Sequence, residues 1–127
     1  MTKFQSLQPI LWTDSLDESI QFYTEILEFS VGELNEDWQW ASLYKDEVEL
    51  MLSAPNTHFA HQKIGFTGSF YFKVNNVDEL WSFLKFKTEI CYKIENFEWG
   101  MREFAIYDNN KYILQFGQEI LNSLKEE

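Results

Sequence analysis

Short stretches of alternating apolar and polar residues recur along the chain, and this period of two predicts β-strands. In the stretch 48–53, Glu49 and Met51 fall on one face, whereas Leu50 and Leu52 fall on the other. Four strands are predicted in the first half of the chain, at 4–13, 29–34, 38–44 and 48–53. Four more are predicted in the second half, at 69–74, 90–96, 101–107 and 112–116, and Gly117 is predicted to end the last one.

Two further stretches have the period of amphipathic helices. Ser15, followed three residues later by Glu18, predicts the start of the first helix, which we expect to end near Glu28. Asn76 and Glu79 have the same spacing and predict the start of the second helix. The two apolar stripes consist of Leu16, Ile20, Tyr23 and Leu27, and of Val77, Leu80, Trp81 and Leu84. A short helix is also expected in the tail, 118–127.

Each half of the chain therefore has the same order of predicted elements, which is strand, helix and three strands. This repeat predicts an α+β fold in which two tandem βαβββ modules form a curved, sheet-lined cleft. We expect a single domain, 1–127, with module one at about 4–54 and module two at about 67–117. A linker at about 55–66 joins the modules, and the tail at 118–127 follows them.

Charge and composition narrow the classes of ligand. The 127 residues include 21 acidic and 10 basic side chains, and the net charge is −11. Such a balance argues against nucleic acid or an anionic membrane as a partner, and it favours cationic ligands. Twelve Phe, six Tyr and five Trp are more aromatic residues than one small core needs. The single cysteine, Cys91, excludes an internal disulfide framework.

Targeting signals and common catalytic motifs are not visible in the sequence. The N-terminal residues contain no signal-peptide pattern, and no window approaches the ~20 apolar residues that span a bilayer. We therefore expect a cytoplasmic protein without a membrane partner. No glycine-rich phosphate loop and no Ser/His/Asp set is apparent, so acid–base chemistry would depend on Glu, Asp or Tyr.

Four stretches carry a likeness to a known family. They are 14–29 with its Ile20-Gln21-Phe22-Tyr23 core, 35–53, 70–80, and 98–117, which begins Glu98-Trp99-Gly100-Met101-Arg102-Glu103-Phe104. With these stretches and its repeated element order, the chain resembles the vicinal oxygen chelate superfamily of glyoxalases, extradiol dioxygenases and bleomycin-resistance proteins. Within that superfamily, it is most similar to the bleomycin-resistance proteins.

The resemblance bears on metal binding. Metal-dependent members place four ligands, usually His, Gln or Glu, on the first, fourth, fifth and eighth strands. The matching positions here are Leu7, Glu49, the neighbourhood of Ser69, and Gln115. One carboxylate and one amide are a poor ligand set for a divalent ion, so we expect no metal and no other cofactor. Glu49 and Gln115 remain the only metal candidates among these positions.

The resemblance also implies a function in binding. Bleomycin-resistance proteins are dimers that sequester a large cationic glycopeptide, unmodified, in acidic, aromatic-lined clefts. The residues that match this lining are Trp38, Ser53, Tyr71 and Trp99. Trp40, two residues after Trp38 in the third predicted strand, is expected to lie on the same face. Glu33 departs from the pattern, because it stands where an aromatic side chain is expected. We therefore predict a homodimeric, metal-independent protein for antibiotic resistance that sequesters a cationic or aromatic molecule, such as a bleomycin-like compound.

Several of these residues have a second interpretation. The large aromatic side chains suit a core or a dimer interface as well as a ligand site. Arg102 and Glu103 either take part in an exposed or cross-strand ion pair, or they serve the ligand site. In the second case Arg102 orders the cleft walls or meets a ligand carboxylate, and Glu103 faces the cleft as an anion. His58 and His61 are interpreted as loop residues rather than metal ligands, and Cys91 as a small buried residue rather than a nucleophile.

Two other functions stay open. One is a metalloenzyme of the same superfamily, a glyoxalase-like lyase or a dioxygenase, with a non-standard metal site that uses Glu49 and Gln115. The other is a structural or regulatory binder of an unknown metabolite. A divalent ion that is lost on Glu49→Ala would favour the enzyme, whereas ligand-induced quenching of Trp99 fluorescence would favour a binding protein.

Overall fold

The computed structural model of the protein describes residues 2–55 and 69–121. The chain forms two compact units, Met1–Ile64 and Gly65–Glu127. The predicted linker at about 55–66 lies outside the described residues except for Pro55, and His58 and His61 lie outside them entirely. Each unit is a separate sheet with its own helix and its own buried core.

The first unit contains a four-stranded sheet. Its elements are β1 (Ile10–Trp12), α1 (Leu16–Gln21), which continues as a π-helical turn at Phe22–Ile26, β2 (Ser30–Asn35), β3 (Trp40–Lys45) and β4 (Val48–Ser53). The strand order is β1-β4-β3-β2, with β1 parallel to β4 and the other neighbours antiparallel. The helix packs on β3 and β4, where Leu43, Leu50 and Leu52 are fully buried.

The second unit repeats this arrangement. Its elements are β5 (Ser69–Lys73), α2 (Val77–Leu84), β6 (Ile90–Asn96), β7 (Met101–Tyr107) and β8 (Ile113–Glu119). The strand order is β5-β8-β7-β6, and β5 is parallel to β8. The helix packs on β7 and β8, and the ring centroids of Trp81 and Phe104 are 5.2 Å apart. The predicted α+β class with two tandem βαβββ modules is therefore confirmed.

Both helices begin at the predicted N-caps. Ser15 Oγ accepts the Glu18 N–H at 3.4 Å, and Asn76 Oδ1 accepts the Glu79 N–H at 3.1 Å. The first helical segment ends just before Glu28, which adopts a left-handed φ of 63°. Within residues 2–55 and 69–121, no helix is long and apolar enough to cross a bilayer.

The first predicted strand, 4–13, is wrong in length, because the observed β1 covers only Ile10–Trp12. The ladder to β4 pairs Ile10 with Met51 and ends where Trp12 meets Ser53. Residues 2–7 are all exposed, so they gain no buried surface that would extend the strand.

The predicted end of the last strand is also wrong. β8 runs through Gly117 to Glu119, because β7 continues to pair with it from Tyr107 down to Met101. Gln118 and Glu119 are therefore strand residues rather than part of a tail helix, and residues 122–127 lie outside the described part of the chain.

Candidate functional site

A buried carboxylate organises the face of the second sheet that lies opposite α2. Glu103, in the middle of β7, is only 1% exposed. Three neutral groups donate to it: Tyr71 Oη at 2.8 Å and Trp99 Nε1 at 2.9 Å to Oε1, and Tyr92 Oη to Oε2. We refer to Tyr71, Tyr92, Trp99 and Glu103 as the Glu103 cluster. Its members come from β5, β6, the β6–β7 turn and β7.

The rings of this cluster are its accessible part. Trp99 is 60% exposed and Tyr71 is 43% exposed, although the polar atom of each points to the buried carboxylate. Phe97 stacks on Trp99 with ring centroids 4.6 Å apart and an interplanar angle of 14°. Gly100, at φ 87°, closes the turn that presents Trp99, a conformation that suits glycine. One face of the indole is thus covered by Phe97, and the ring remains largely open to a ligand.

The hydrogen bonds set the protonation states of the cluster. Burial alone raises the pKa of the Glu103 carboxyl, but the bonds from Tyr92, Trp99 and Tyr71 outweigh burial and hold that pKa below its usual value. Burial is the main cause, and the hydrogen bond to Glu103 the second, of a Tyr92 pKa that is raised to about 12. The same two causes raise the pKa of Tyr71 further. At neutral pH the cluster is one carboxylate anion beneath two neutral phenols.

Close approach of Tyr71 to the backbone depends on Gly117. Gly117 lies between β5 and β7, opposite Lys73 on one side and Glu103 on the other. A Cβ atom at Gly117 would lie 2.7 Å from Tyr71 Cζ and still closer to Tyr71 Oη. The Tyr71 phenol therefore passes over the Gly117 backbone to reach Glu103, and a side chain at position 117 would block it.

A second row of hydrogen bonds extends from the cluster to β5. The Ser69 hydroxyl donates to Gln115 Oε1 at 2.6 Å, and Gln115 Nε2 donates to Tyr92 Oη at 2.9 Å. Gln115 thereby orients the Tyr92 hydroxyl, which in turn donates to Glu103. The chain of bonds makes Ser69 and Gln115 part of the support of the aromatic site.

The residues at the family's metal positions do not fit a divalent ion. Ser69 and Gln115 hydrogen-bond each other and lack a carboxylate or imidazole donor. In the first unit, Leu7 is apolar and 90% exposed, and Glu49 is an exposed residue of β4. Residues 2–55 and 69–121 hold no group of three or more His, Cys, Asp or Glu side chains suited to a metal.

Arg102 and Glu103 do not form an ion pair with each other, and Arg102 is paired with Asp78 instead. Arg102 donates from Nε and Nη2 to the Asp78 carboxylate and from Nη1 to Asn96 Oδ1 at 3.1 Å. Neighbouring strand residues point to opposite faces, so Arg102 and Glu103 lie on different sides of β7. Arg102 ties β7 to α2, whereas Glu103 is buried under rings instead of facing a cleft as an exposed anion.

The candidates of the first unit are not brought together as expected. Trp38 lies in the turn between β2 and β3, where Asn35 Oδ1 accepts its backbone N–H, so it is not a strand residue on the same face as Trp40. Trp40 pairs with Ser53 across β3 and β4, and Trp12 pairs with Ser53 from β1. The Ser53 hydroxyl donates to the Ala54 carbonyl at 2.9 Å. Two tryptophans thus flank Ser53 in register.

The sequence analysis missed Tyr92, Phe97 and Gly117, although it identified Tyr71, Trp99 and Glu103. In β6 the register to β7 shifts on both sides of Tyr92, so counting alternate residues does not reveal its face. Gly117 was interpreted only as the end of a strand. Its position beside the predicted site residues in β5 and β7 was the signal that could have revealed it. Cys91 is a separate case: it is half-buried, and the hydrogen bond between its thiol and the Tyr107 side chain raises the pKa of Tyr107.

Comparison with known proteins places this geometry in context. The family model described as the Glyoxalase/Bleomycin resistance protein/Dioxygenase superfamily matches residues 5–116. None of the curated proteins matches the chain. Many solved structures do, and three are described below.

An integron cassette protein from the mobile metagenome of the Halifax Harbour sewage outfall is 24% identical, with a TM-score of 0.73 and coverage of 91% of this chain and 99% of its own. A glyoxalase/bleomycin resistance protein/dioxygenase from Nocardioides is 14% identical, with a TM-score of 0.76 and coverage of 96% of this chain and 88% of its own. A lactoylglutathione lyase from Agrobacterium tumefaciens is 15% identical, with a TM-score of 0.68 and coverage of 92% and 96%. At these identities the likeness shows a shared fold.

Proposed function

Since the chain belongs to the glyoxalase/bleomycin resistance protein/dioxygenase superfamily, we propose that it is a metal-independent member that sequesters a cationic or aromatic small molecule at the Glu103 cluster. One observation carries this proposal. The polar ends of Tyr71, Tyr92 and Trp99 are all bonded to one buried carboxylate, and the cluster presents ring surface outward. Exposed aromatic rings above a buried anion suit a flat or cationic ligand.

Two further features support the proposal: the first argues against a metal at these positions, and the second favours a cation of any kind. Ser69 and Gln115, at two of the family's ligand positions, are joined to each other and to Tyr92. The net charge of −11 attracts a cation over long range. We also propose that the protein is a cytoplasmic homodimer, as the resemblance to bleomycin-resistance proteins implies, and that resistance to the bound compound follows from its capture.

Calorimetric titration of metal-stripped protein with bleomycin, at low and moderate salt, tests this function. We expect saturable binding near one ligand per chain that weakens as salt is added. Trp99→Leu is expected to weaken binding about tenfold, because a ring contact and its attraction for the cation are both lost.

Phe86→Leu is the control, since Phe86 is also an exposed aromatic residue, at 90% exposure, but it follows α2 on the other side of the sheet. The affinity of the Phe86→Leu variant for bleomycin should equal that of the wild type. Equal losses in the two variants, or no heat at high protein concentration, would contradict the proposal for bleomycin. A divalent ion retained at one per chain by untreated protein would favour the metalloenzyme alternative.

A further inference from the structure

We infer that the Glu103 cluster is selective for a quaternary ammonium or similar fully alkylated cation carried on an aromatic ligand. The inference deepens the proposed function and rests on it. Three aromatic side chains surround one buried carboxylate, so its negative charge attracts a bound cation without direct contact between them.

Burial of Glu103 is the first step of the argument. At 1% exposure, its carboxylate cannot form a direct salt bridge with a bound amine. Its oxygens already accept three hydrogen bonds, two at Oε1 and one at Oε2. The negative charge therefore acts through the rings, by making their outward surface more attractive to a cation.

The chemistry of the outward surface is the second step. The Trp99 indole N–H is a donor only, and the Tyr92 hydroxyl already accepts from Gln115. A primary ammonium ion carries three N–H donors, and the ring faces themselves offer these donors no oxygen acceptor, so an ammonium ion bound over the rings keeps fewer hydrogen bonds than it has in water. A quaternary ammonium ion has no N–H to satisfy, so ring faces are its preferred partners.

Neighbouring charges on the same face are the third step. Glu95 and Glu119 occupy register positions opposite Glu103 and Met101, and both are exposed. Lys73, also exposed, lies opposite Gly117 at the β5 side. The acids outnumber this lysine, so the net field around Trp99 favours a cation.

Three phenol probes test the selectivity by titration of tryptophan fluorescence and by calorimetry. Two are an isosteric pair, para-hydroxyphenyltrimethylammonium and the neutral para-tert-butylphenol. The third is tyramine, which carries a primary ammonium group two methylene groups from the ring. We expect the quaternary cation to bind about tenfold more tightly than the neutral isostere and also more tightly than tyramine.

Glu103→Gln removes the charge and keeps the size of the side chain, so the preference for the cation over the isostere should fall towards one. Far-ultraviolet circular dichroism checks that this variant folds. Trp99→Leu keeps the Glu103 side chain but removes one of the three hydrogen bonds that its carboxylate accepts. It should reduce binding of the quaternary cation about tenfold, which keeps the test decisive if Glu103→Gln does not fold.

Equal affinity for the cation and its neutral isostere would overturn the inference and leave the proposed aromatic site intact. Tighter binding of tyramine than of the quaternary cation would overturn it as well, because direct hydrogen bonding would then dominate. Binding that Trp99→Leu does not change would contradict both the inference and the proposed function at this site.

Discussion

Glu103 remains an anion although it is almost fully buried. Three neutral donors replace the water that its carboxylate loses, and they do so from three different strand or turn positions. The same bonds hold two phenols in their neutral form. A single acid thus fixes the orientation of every ring in the cluster.

The tyrosine pKa values have a consequence for stability at high pH. The pKa of Tyr92 is 10.0 in the unfolded chain and about 12 in the folded protein. Between these values the unfolded state binds fewer protons than the folded state, so the free energy of unfolding falls as pH rises. Chemical denaturation at pH values across this window should show that fall.

Tyr92→Phe should make the same profile less steep, because one of the two phenols that release a proton on unfolding is gone while Tyr71 still contributes. The contribution of Glu103 to the free energy of unfolding has the opposite pH dependence, since its pKa is lowered. That contribution is present above a pH of about 4.5 and is lost as the pH falls below this value. An identical alkaline slope in the wild type and Tyr92→Phe would show that Tyr92 is not held as described.

Gly117→Ala tests the close approach of Tyr71 to β8. The added methyl group overlaps the phenol, so Tyr71 should lose its hydrogen bond to Glu103, and overpacking should cost about 1–3 kcal/mol of stability. The cost should be much smaller in a Tyr71→Leu background, which lacks the phenol. Urea denaturation of the four proteins of this double-mutant cycle measures the coupling. The same cost in both backgrounds would show that another contact is responsible.

At the scale of elements, the helix caps are local features that the sequence analysis located correctly. Asn76→Ala should destabilise the second unit by about 1 kcal/mol, because the Glu79 N–H loses its acceptor. Ser15→Ala should cost less, since its bond to the Glu18 N–H is longer at 3.4 Å. Thermal unfolding followed by circular dichroism compares the two variants, and a larger loss for Ser15→Ala would contradict this ranking.

The elements also show where prediction from sequence ends. Strands with regular alternation, such as Val48–Ser53 and Met101–Tyr107, were predicted to the residue, because one face must be buried. β1 and β8 were not, because their lengths depend on the partner strands rather than on their own residues. The site had the same limit: Trp99 and Glu103 were found from the sequence, whereas Tyr92 lies between two register shifts.

At the scale of the whole molecule, the net charge of −11 adds a long-range term to the local contacts. Raising the ionic strength to about 1 M shortens the screening length to ~3 Å. We expect the affinity for para-hydroxyphenyltrimethylammonium to fall several-fold over this range, while that for para-tert-butylphenol does not fall. Fluorescence titration at increasing salt measures both, and a parallel loss for the two probes would argue against an electrostatic contribution.

The central claim is that the outward ring surface of the Glu103 cluster is where a ligand binds. Nuclear magnetic resonance tests it most directly, because the five tryptophans give separate indole N–H signals. On titration with para-hydroxyphenyltrimethylammonium, we predict saturable shifts of the Trp99 indole signal and of backbone amides around Tyr71 and Glu103. Saturable shifts confined to the first unit, at Trp38 or Trp40, with no change at Trp99, would contradict the account.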